Sequence, residues 1–382
     1  GVHLNSSYMK YKHQIHFSAW LNTGIGQYLS PDNPVFTDAF PGNKDVAFDP
    51  LSFVFSYENG TEKLLKGSSV SLKARHLDGL ELYGGGAKWK APKGGFDVEA
   101  DLRYFVRKDS ADLTYLLYPK EWTLNKWQGV LDLYANKKYQ LLGGTGKLQL
   151  RLRQPMVGST GFGENVRLTT WNEFDLGKAE LKVRLIAQYG TGTGGIETAF
   201  YMAGGAPENL MENKYVRSAG LVPYDWVGAY GNNVNHFHYG GGLNLRGYAG
   251  YLAPELTPDS TVVYTYRGNT GVAANAELDL DKFLRIKPRW TKRWLHLDAY
   301  LFGDIGSMGY RDARNGKQQL EMAMPRADAG AGFALTIKKF GPLVDIKPFT
   351  IRFDMPLFLS ALPANETEHF AFRYVVGIGR SF

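Results

Sequence analysis

Cysteine is absent from all 382 residues, so the chain has no disulfide framework and no thiolate metal site. It also lacks any run of roughly 18 apolar residues, which excludes a transmembrane helix. Although the net charge is +7, with 44 basic and 37 acidic residues, no block of like charge resembles a nucleic-acid arm; the charges suit solvated rims and a hydrated interior. Sustained helical periodicity is missing as well. No signal peptide is visible at Gly1, so an exported form would be mature or trimmed. Glycine (45), tyrosine (23) and phenylalanine (22) are plentiful.

What fills the chain is period-two alternation. Phe96, Val98, Ala100, Leu102, Tyr104 and Val106 share one face, and Asp97, Glu99, Asp101, Arg103 and Arg107 the other. Leu148, Leu150 and Leu152 alternate with Gln149, Arg151 and Arg153; Leu181, Val183 and Leu185 alternate with Glu180, Lys182 and Arg184. Turn signals such as Asn59-Gly60 and Gly143-Gly144-Thr145-Gly146 separate the runs. Such strands fit a soluble two-layer sheet or a membrane barrel. The barrel is favoured by the many full charges on the polar faces, by aromatics near segment ends, and by an alternating final segment, Phe370–Phe382. A spanning strand takes about 9–11 residues. With turns and loops this gives roughly 24 residues per strand, hence an all-β fold of about 16 antiparallel strands, a single barrel domain over 1–382. Loops are expected near 30–50, 203–235 and 309–325.

Motifs for chemistry are poor. Gly143-Gly-Thr-Gly-Lys147 lacks the spacing of a phosphate loop, and Gly190-Thr-Gly-Thr-Gly-Gly195 opens no helix. There is no Gly-x-Ser-x-Gly elbow and no His-Glu-x-x-His pair. His236 and His238 share a strand face, but no third metal ligand is evident nearby. No catalytic residue, metal or cofactor is therefore expected.

The informative stretch is His236–Gly306. In Gly271–Leu280 the even positions are apolar, so Glu277 faces inward with Asn275 and Asp279. In Leu295–Gly306 the odd positions face outward, which turns Asp304 inward beside Asp298 and His296. A one-residue slip would put these carboxylates in hydrocarbon, so parity is strongly fixed. On periodicity alone they are ordinary lumen charges.

Leu245-Arg-Gly-Tyr248 in its glycine-rich segment resembles the Arg-Gly-aromatic signature of the BamA and two-partner-secretion transporter superfamily. Asn275-Ala-Glu277, Phe302-Gly-Asp-Ile-Gly-Ser307, Gly341-Pro-Leu343 and Ile351-Arg-Phe-Asp-Met-Pro-Leu357 are similar to later elements of that family, in its order, over residues 240–382. The first 230 residues match only in strand style.

The resemblance implies a 16-stranded barrel in the bacterial outer membrane, with both termini periplasmic and the Arg246 loop folded into the lumen. There Arg246, Gly247 and Tyr248 would form a latch with Glu277, Asp304 and Gly306, supported by His296, Asp298 and Arg352. It further implies assistance to protein or lipid insertion or translocation through a seam between a first strand (His13–Asn22) and a last (Phe370–Phe382), with Phe17, Phe372, Tyr374 and Phe382 along it. Expected partners are the lipid bilayer, lipopolysaccharide and unfolded outer-membrane polypeptides; nucleic acid is excluded, and a homo-oligomer stays open. The family's periplasmic transport-associated domains are not seen ahead of the first strand, so they are absent or the chain is one part of a longer protein. The alternatives are a barrel anchoring a catalytic domain, and a plugged or passive structural pore.

Overall fold

Alternating sequence becomes strand because a pleated backbone sends successive side chains to opposite faces, and here one face is charged and the other apolar. The computed structural model describes residues 2–8, 10, 12–21, 51–60, 66–77, 80–91, 95–107, 126–161, 163–192, 194–211, 236–284, 294–314, 317–338 and 349–381. The first ten strands are β1 (Val2–Tyr8), β2 (His13–Leu21), β3 (Leu51–Asn59), β4 (Ser68–Leu77), β5 (Leu80–Trp89), β6 (Asp97–Arg107), β7 (Trp127–Leu141), β8 (Gly144–Pro155), β9 (Asn165–Asp175) and β10 (Glu180–Gly190). A long excursion follows, with two small hairpins, β11 (Phe200–Tyr201) on β14 (Arg267–Gly268) and β12 (Pro254–Leu256) on β13 (Val262–Tyr264). It also holds a helical turn, α1 (Pro207–Leu210), and a 3-10 turn at Arg246–Tyr248. The wall resumes with β15 (Thr270–Asp279), the turn α2 (Asp281–Leu284), β16 (Leu295–Arg314), β17 (Lys317–Met322), β18 (Arg326–Ile337), β19 (Phe349–Leu359) and β20 (Val375–Ile378).

The wall is one antiparallel sheet of sixteen strands. Fifteen pair in series, and β17 pairs with β16 beyond the reach of β18. The expected loop at 309–325 is thus mostly a hairpin. β16 runs on to Arg314, and β17 continues the line of β18 past the break at Ala323–Pro325. Fifteen positions in series start β1 at the long-loop end and finish β20 at the short-turn end. The start of β1 and the end of β20 thus lie at opposite ends of the described wall, where the family resemblance implied one side for the termini. The expected loop at 30–50 lies outside the described residues, as does the 212–235 part of the one expected at 203–235.

Side-chain parity is inverted relative to a water-soluble sandwich. Leu102, Leu152, Leu185, Leu301 and Phe333 stand exposed, while Asp101, Asp132, Arg153, Arg184 and Asp304 are buried. The sheet is rolled around the excursion: Arg75 of β4 donates to Met211 O at 3.4 Å, while Gly247 in the same excursion abuts Leu359 of β19. Among the described residues β1 and β20 do not pair, so the ring is open at that seam. The turn Leu142–Gly143 joins β7 to β8, and its φ values of +50° and +79° suit a two-residue hairpin matched to strand twist.

Candidate functional site

The glycine-rich arm reaches the wall beside β20. Residues 236–238 run parallel to it: His238 N donates to Val376 O at 3.0 Å, and Val376 N donates to His236 O at 2.7 Å. The His236 ring stacks on Tyr374 with centroids 4.1 Å apart. Asn244 Nδ2 then donates to Ser381 Oγ at 2.7 Å. Gly242 is needed on two counts. Its φ is +59°, and a Cβ there would lie 2.1 Å from Tyr201 O.

The turn delivers Arg246 to the centre of the β15–β16 wall, fully buried. Its Nε donates to Asp304 Oδ2 at 2.7 Å, Nη2 to Asp304 Oδ1 at 3.2 Å, and Nη1 to Glu277 Oε1 at 2.8 Å. The guanidinium also lies 4.2 Å from the centroid of the Phe302 ring, a cation–π seat. Asn275 ties arm to wall, donating to Asp304 Oδ1 at 3.0 Å and to Leu243 O at 3.1 Å. Arg supplies what this site needs, a planar fork that meets two carboxylates at once.

Acid outnumbers base here. Asp354 is 3.8 Å from Arg246, and Asp328 sits directly opposite Asp304 in the β16–β18 ladder. Arg352 adds the second cation, pairing with Asp354 and donating to His238 O at 3.0 Å. Tyr300 donates its hydroxyl to Asp354 Oδ1 at 2.5 Å. Gly247 and Tyr248 complete the turn. A Cβ on Gly247 would come 2.6 Å from Leu359, and Tyr248 donates its hydroxyl to Ala327 O at 3.2 Å.

Gly306 belongs to the wall rather than to the turn. It pairs with Ala273, and a Cβ would lie 2.7 Å from Val272 O, so its absence lets β15 and β16 approach. His296 and Asp298 serve a different node near the short-turn end. His296 Nε2 lies 2.6 Å from Asp298, which meets Arg380 at 3.1 Å, and Arg380 reaches Asp279 at 3.1 Å. Asp281, His296 and Asp298 offer ligand atoms within 4.8 Å of one another, as a metal would require. The Arg380 guanidinium already supplies the cation, so an ion-pair node is the better description. His236 and His238 do not converge as metal ligands: one stacks on Tyr374 and the other abuts Arg352.

The seam departs from expectation. Phe17 lies in β2, paired with Leu4 of β1 and Phe55 of β3, so it is not at an edge. The earlier strand escaped notice because Val2–Tyr8 (VHLNSSY) is mostly small and polar. An isolated bridge pairs Phe370 with Phe358 of β19, and beyond it the last strand is Val375–Ile378. Arg373 turns back to Glu366 ahead of it, and Gly379, at φ +88°, ends it. Phe372 is exposed and Tyr374 stacks on Phe353 as well as His236; Phe382 lies outside the described residues.

A second insertion was not foreseen. Ahead of the arm, the segment 196–211 enters the lumen with its acids facing the basic wall of β6 and β8. Glu208 accepts from Arg153 at 3.0 and 2.9 Å and from Arg103 at 3.1 Å. Glu197 accepts from Arg107 at 3.0 and 2.6 Å. Arg153 also forks onto Asp132, both bonds 2.7 Å. The available signal was Arg151 and Arg153 together on the polar face of β8, which with Lys147 and Gln149 carries no acid of its own.

No family model and no curated protein matches this chain. Solved structures do. BamA from Haemophilus ducreyi lacking POTRA domains 1–3 is 12% identical over 99% of this chain and 75% of that one, with a TM-score of 0.38. CdiB from Acinetobacter baumannii is 11% identical over 96% of this chain, which spans about half (47%) of CdiB, with a TM-score of 0.40. OpdK from Pseudomonas aeruginosa, solved with vanillate, is 9% identical over 90% of this chain and 71% of that one, with a TM-score of 0.38. At these scores the likeness assigns no function, and the fold rests on the strands described above.

Proposed function

We propose that the chain is a bacterial outer-membrane β-barrel that assists insertion or translocation of other polypeptides. The observation that carries this reading is the uneven seam. Among the described residues β1 pairs only with β2, while the outer edge of the four-residue β20 is covered by the chain's own arm through two backbone hydrogen bonds. An edge strand with open backbone groups templates an added strand. The exposed apolar belt supports a lipid setting, since contiguous apolar surface of this extent is foreign to a water-facing monomer. In this mechanism the Arg246 latch holds the arm against β20, and an incoming extended segment adds at β1 or displaces residues 236–238. The role is mechanical and needs no catalytic side chain.

A chain without cysteine makes the test clean. Phe237 and Val376 face each other across the arm–β20 contact, so Phe237→Cys with Val376→Cys can be cross-linked with no background thiol. In vesicles, the locked protein is expected to remain folded yet assemble client barrels far more slowly, with reduction restoring the rate. Unchanged assembly by the locked form removes the arm from the mechanism. Loss that reduction does not restore, or no assembly by the wild type, removes the reading itself.

A further inference from the structure

We propose that a cavity at the long-loop end of β10, β15 and β16 binds a phosphorylated sugar ring. The cavity measures about 590 Å³, within the usual range for small-molecule sites of roughly 300–1,000 Å³. Arg267 and Arg311 line it with Tyr264, Tyr266 and Tyr310, and no carboxylate is among its lining residues. Arg311 is placed by a single described hydrogen bond, Nη2 to Gly190 O at 2.8 Å. That bond fixes the guanidinium without neutralising it, in contrast to the carboxylate-paired arginines of the two insertions. A guanidinium with no carboxylate partner among the described residues, beside a second one, is suited to the forked recognition of phosphate.

The tyrosines decide what carries the anion. Buried Tyr266 accepts from Arg267 Nε at 3.0 Å and so positions the second guanidinium, while Tyr264, exposed on the β12–β13 hairpin, offers its ring to a ligand. Amphipathic rings of this kind offer an apolar face and a hydroxyl together, as a pyranose requires. Outer-membrane barrels carry short periplasmic turns and longer extracellular loops, so on the outer-membrane reading proposed above the long-loop end faces the outer leaflet, where phosphorylated saccharide occurs as a lipid headgroup. A soluble sugar phosphate presents the same chemistry.

Calorimetric titration of the detergent-solubilised chain with glucose 1-phosphate tests the site without reference to membrane orientation or to any assembly role. Saturable binding is expected, with glucose at least 10-fold weaker and Arg311→Gln weakening glucose 1-phosphate by 10-fold or more. Arg311→Lys should retain most of the affinity. Should Arg311→Gln fail to fold, Tyr264→Ala, altered at an exposed ring, is expected to weaken glucose 1-phosphate several-fold while leaving inorganic phosphate unchanged. Vesicles of lipopolysaccharide and of its dephosphorylated form identify the source. Competition of phosphorylated vesicles with glucose 1-phosphate points to the headgroup, and its absence, with soluble binding intact, to a free sugar phosphate. Equal binding of glucose, indifference to both Arg311→Gln and Tyr264→Ala, or no binding of either probe overturns the proposal.

Discussion

Replacing Arg246 by alanine should destabilise the lumen strongly. The change removes three charge-assisted hydrogen bonds, to Asp304 at 2.7 and 3.2 Å and to Glu277 at 2.8 Å, together with the cation–π seat on Phe302. It also leaves two buried carboxylates beside Asp328 and Asp354, with Arg352 on Asp354 and Arg184 on Asn275 as the remaining cations around them. Removing one partner of a buried pair costs about 3–5 kcal/mol, most of it the penalty on the charge left behind. A protein of this size loses roughly 1–2 °C of Tm per kcal/mol, extrapolating the trend for smaller domains, so a fall of roughly 3–10 °C is expected. Thermal unfolding and the heat-modified shift on gels would both report it. Because the cost lies in orphaned carboxylates, adding Glu277→Gln and Asp304→Asn to the Arg246→Ala chain should recover part of the loss. A single variant that melts with the wild type refutes the latch. A triple variant no better than the single one refutes the electrostatic account of it.

Two further expectations follow from packing and parity. Gly247→Ala would bring a Cβ to 2.6 Å from Leu359 Cδ2 and 2.7 Å from Asp328 Cβ; overpacking of this kind costs about 1–3 kcal/mol, and protease sensitivity of the arm should rise. Leu301→Lys places a charge on the outward face of β16, where a lipid-facing lysine costs about 2–4 kcal/mol near the midplane. It should slow folding into vesicles, and an unaffected folding rate would contradict the assigned parity.

Parity was the part most open to reading from sequence. Asn275, Glu277 and Asp304 all turned inward because a strand has no freedom to do otherwise once one face is apolar. The contact between Arg246 and two of those carboxylates could not come from periodicity, since the arm is irregular chain. It came from a family-like motif, and its geometry is seen only in the folded structure. Strand ends were least legible. Phe370–Phe382 alternates throughout, yet the continuous ladder runs only over Val375–Ile378, with a separate bridge of Phe370 to Phe358 ahead of it; the Glu366–Arg373 tie and the positive φ of Gly379 flank the ladder. Alternation marks faces, whereas backbone turns and side-chain ties decide where pairing stops. The β16–β17 extension was missed for the converse reason, because polar residues on a protruding hairpin carry no apolar face to signal it.

The two insertions differ in polarity, and this gives them separable roles. The arm brings a base to an acidic wall; the segment 196–211 brings acids to a basic one, and the two ion-pair sets described share no residue. Glu208→Gln keeps the shape of the side chain and removes its charge. Arg153 would retain its forked pair with Asp132, and Arg103 its bond to Asp101 at 2.7 Å. The loss should therefore be about 1–3 kcal/mol, near that of charged hydrogen bonds and below the cost of Arg246→Ala. Planar-bilayer recording makes the comparison functional. Each single variant leaves one insertion docked, so steady conductance should stay low, whereas Arg246→Ala combined with Glu208→Gln and Glu197→Gln removes the ion pairs of both, including Glu197 with Arg107, and should open a persistent pore. A combined variant as closed as the wild type would mean that the charges do not hold the insertions in place, and that backbone contacts such as those between residues 236–238 and β20 suffice.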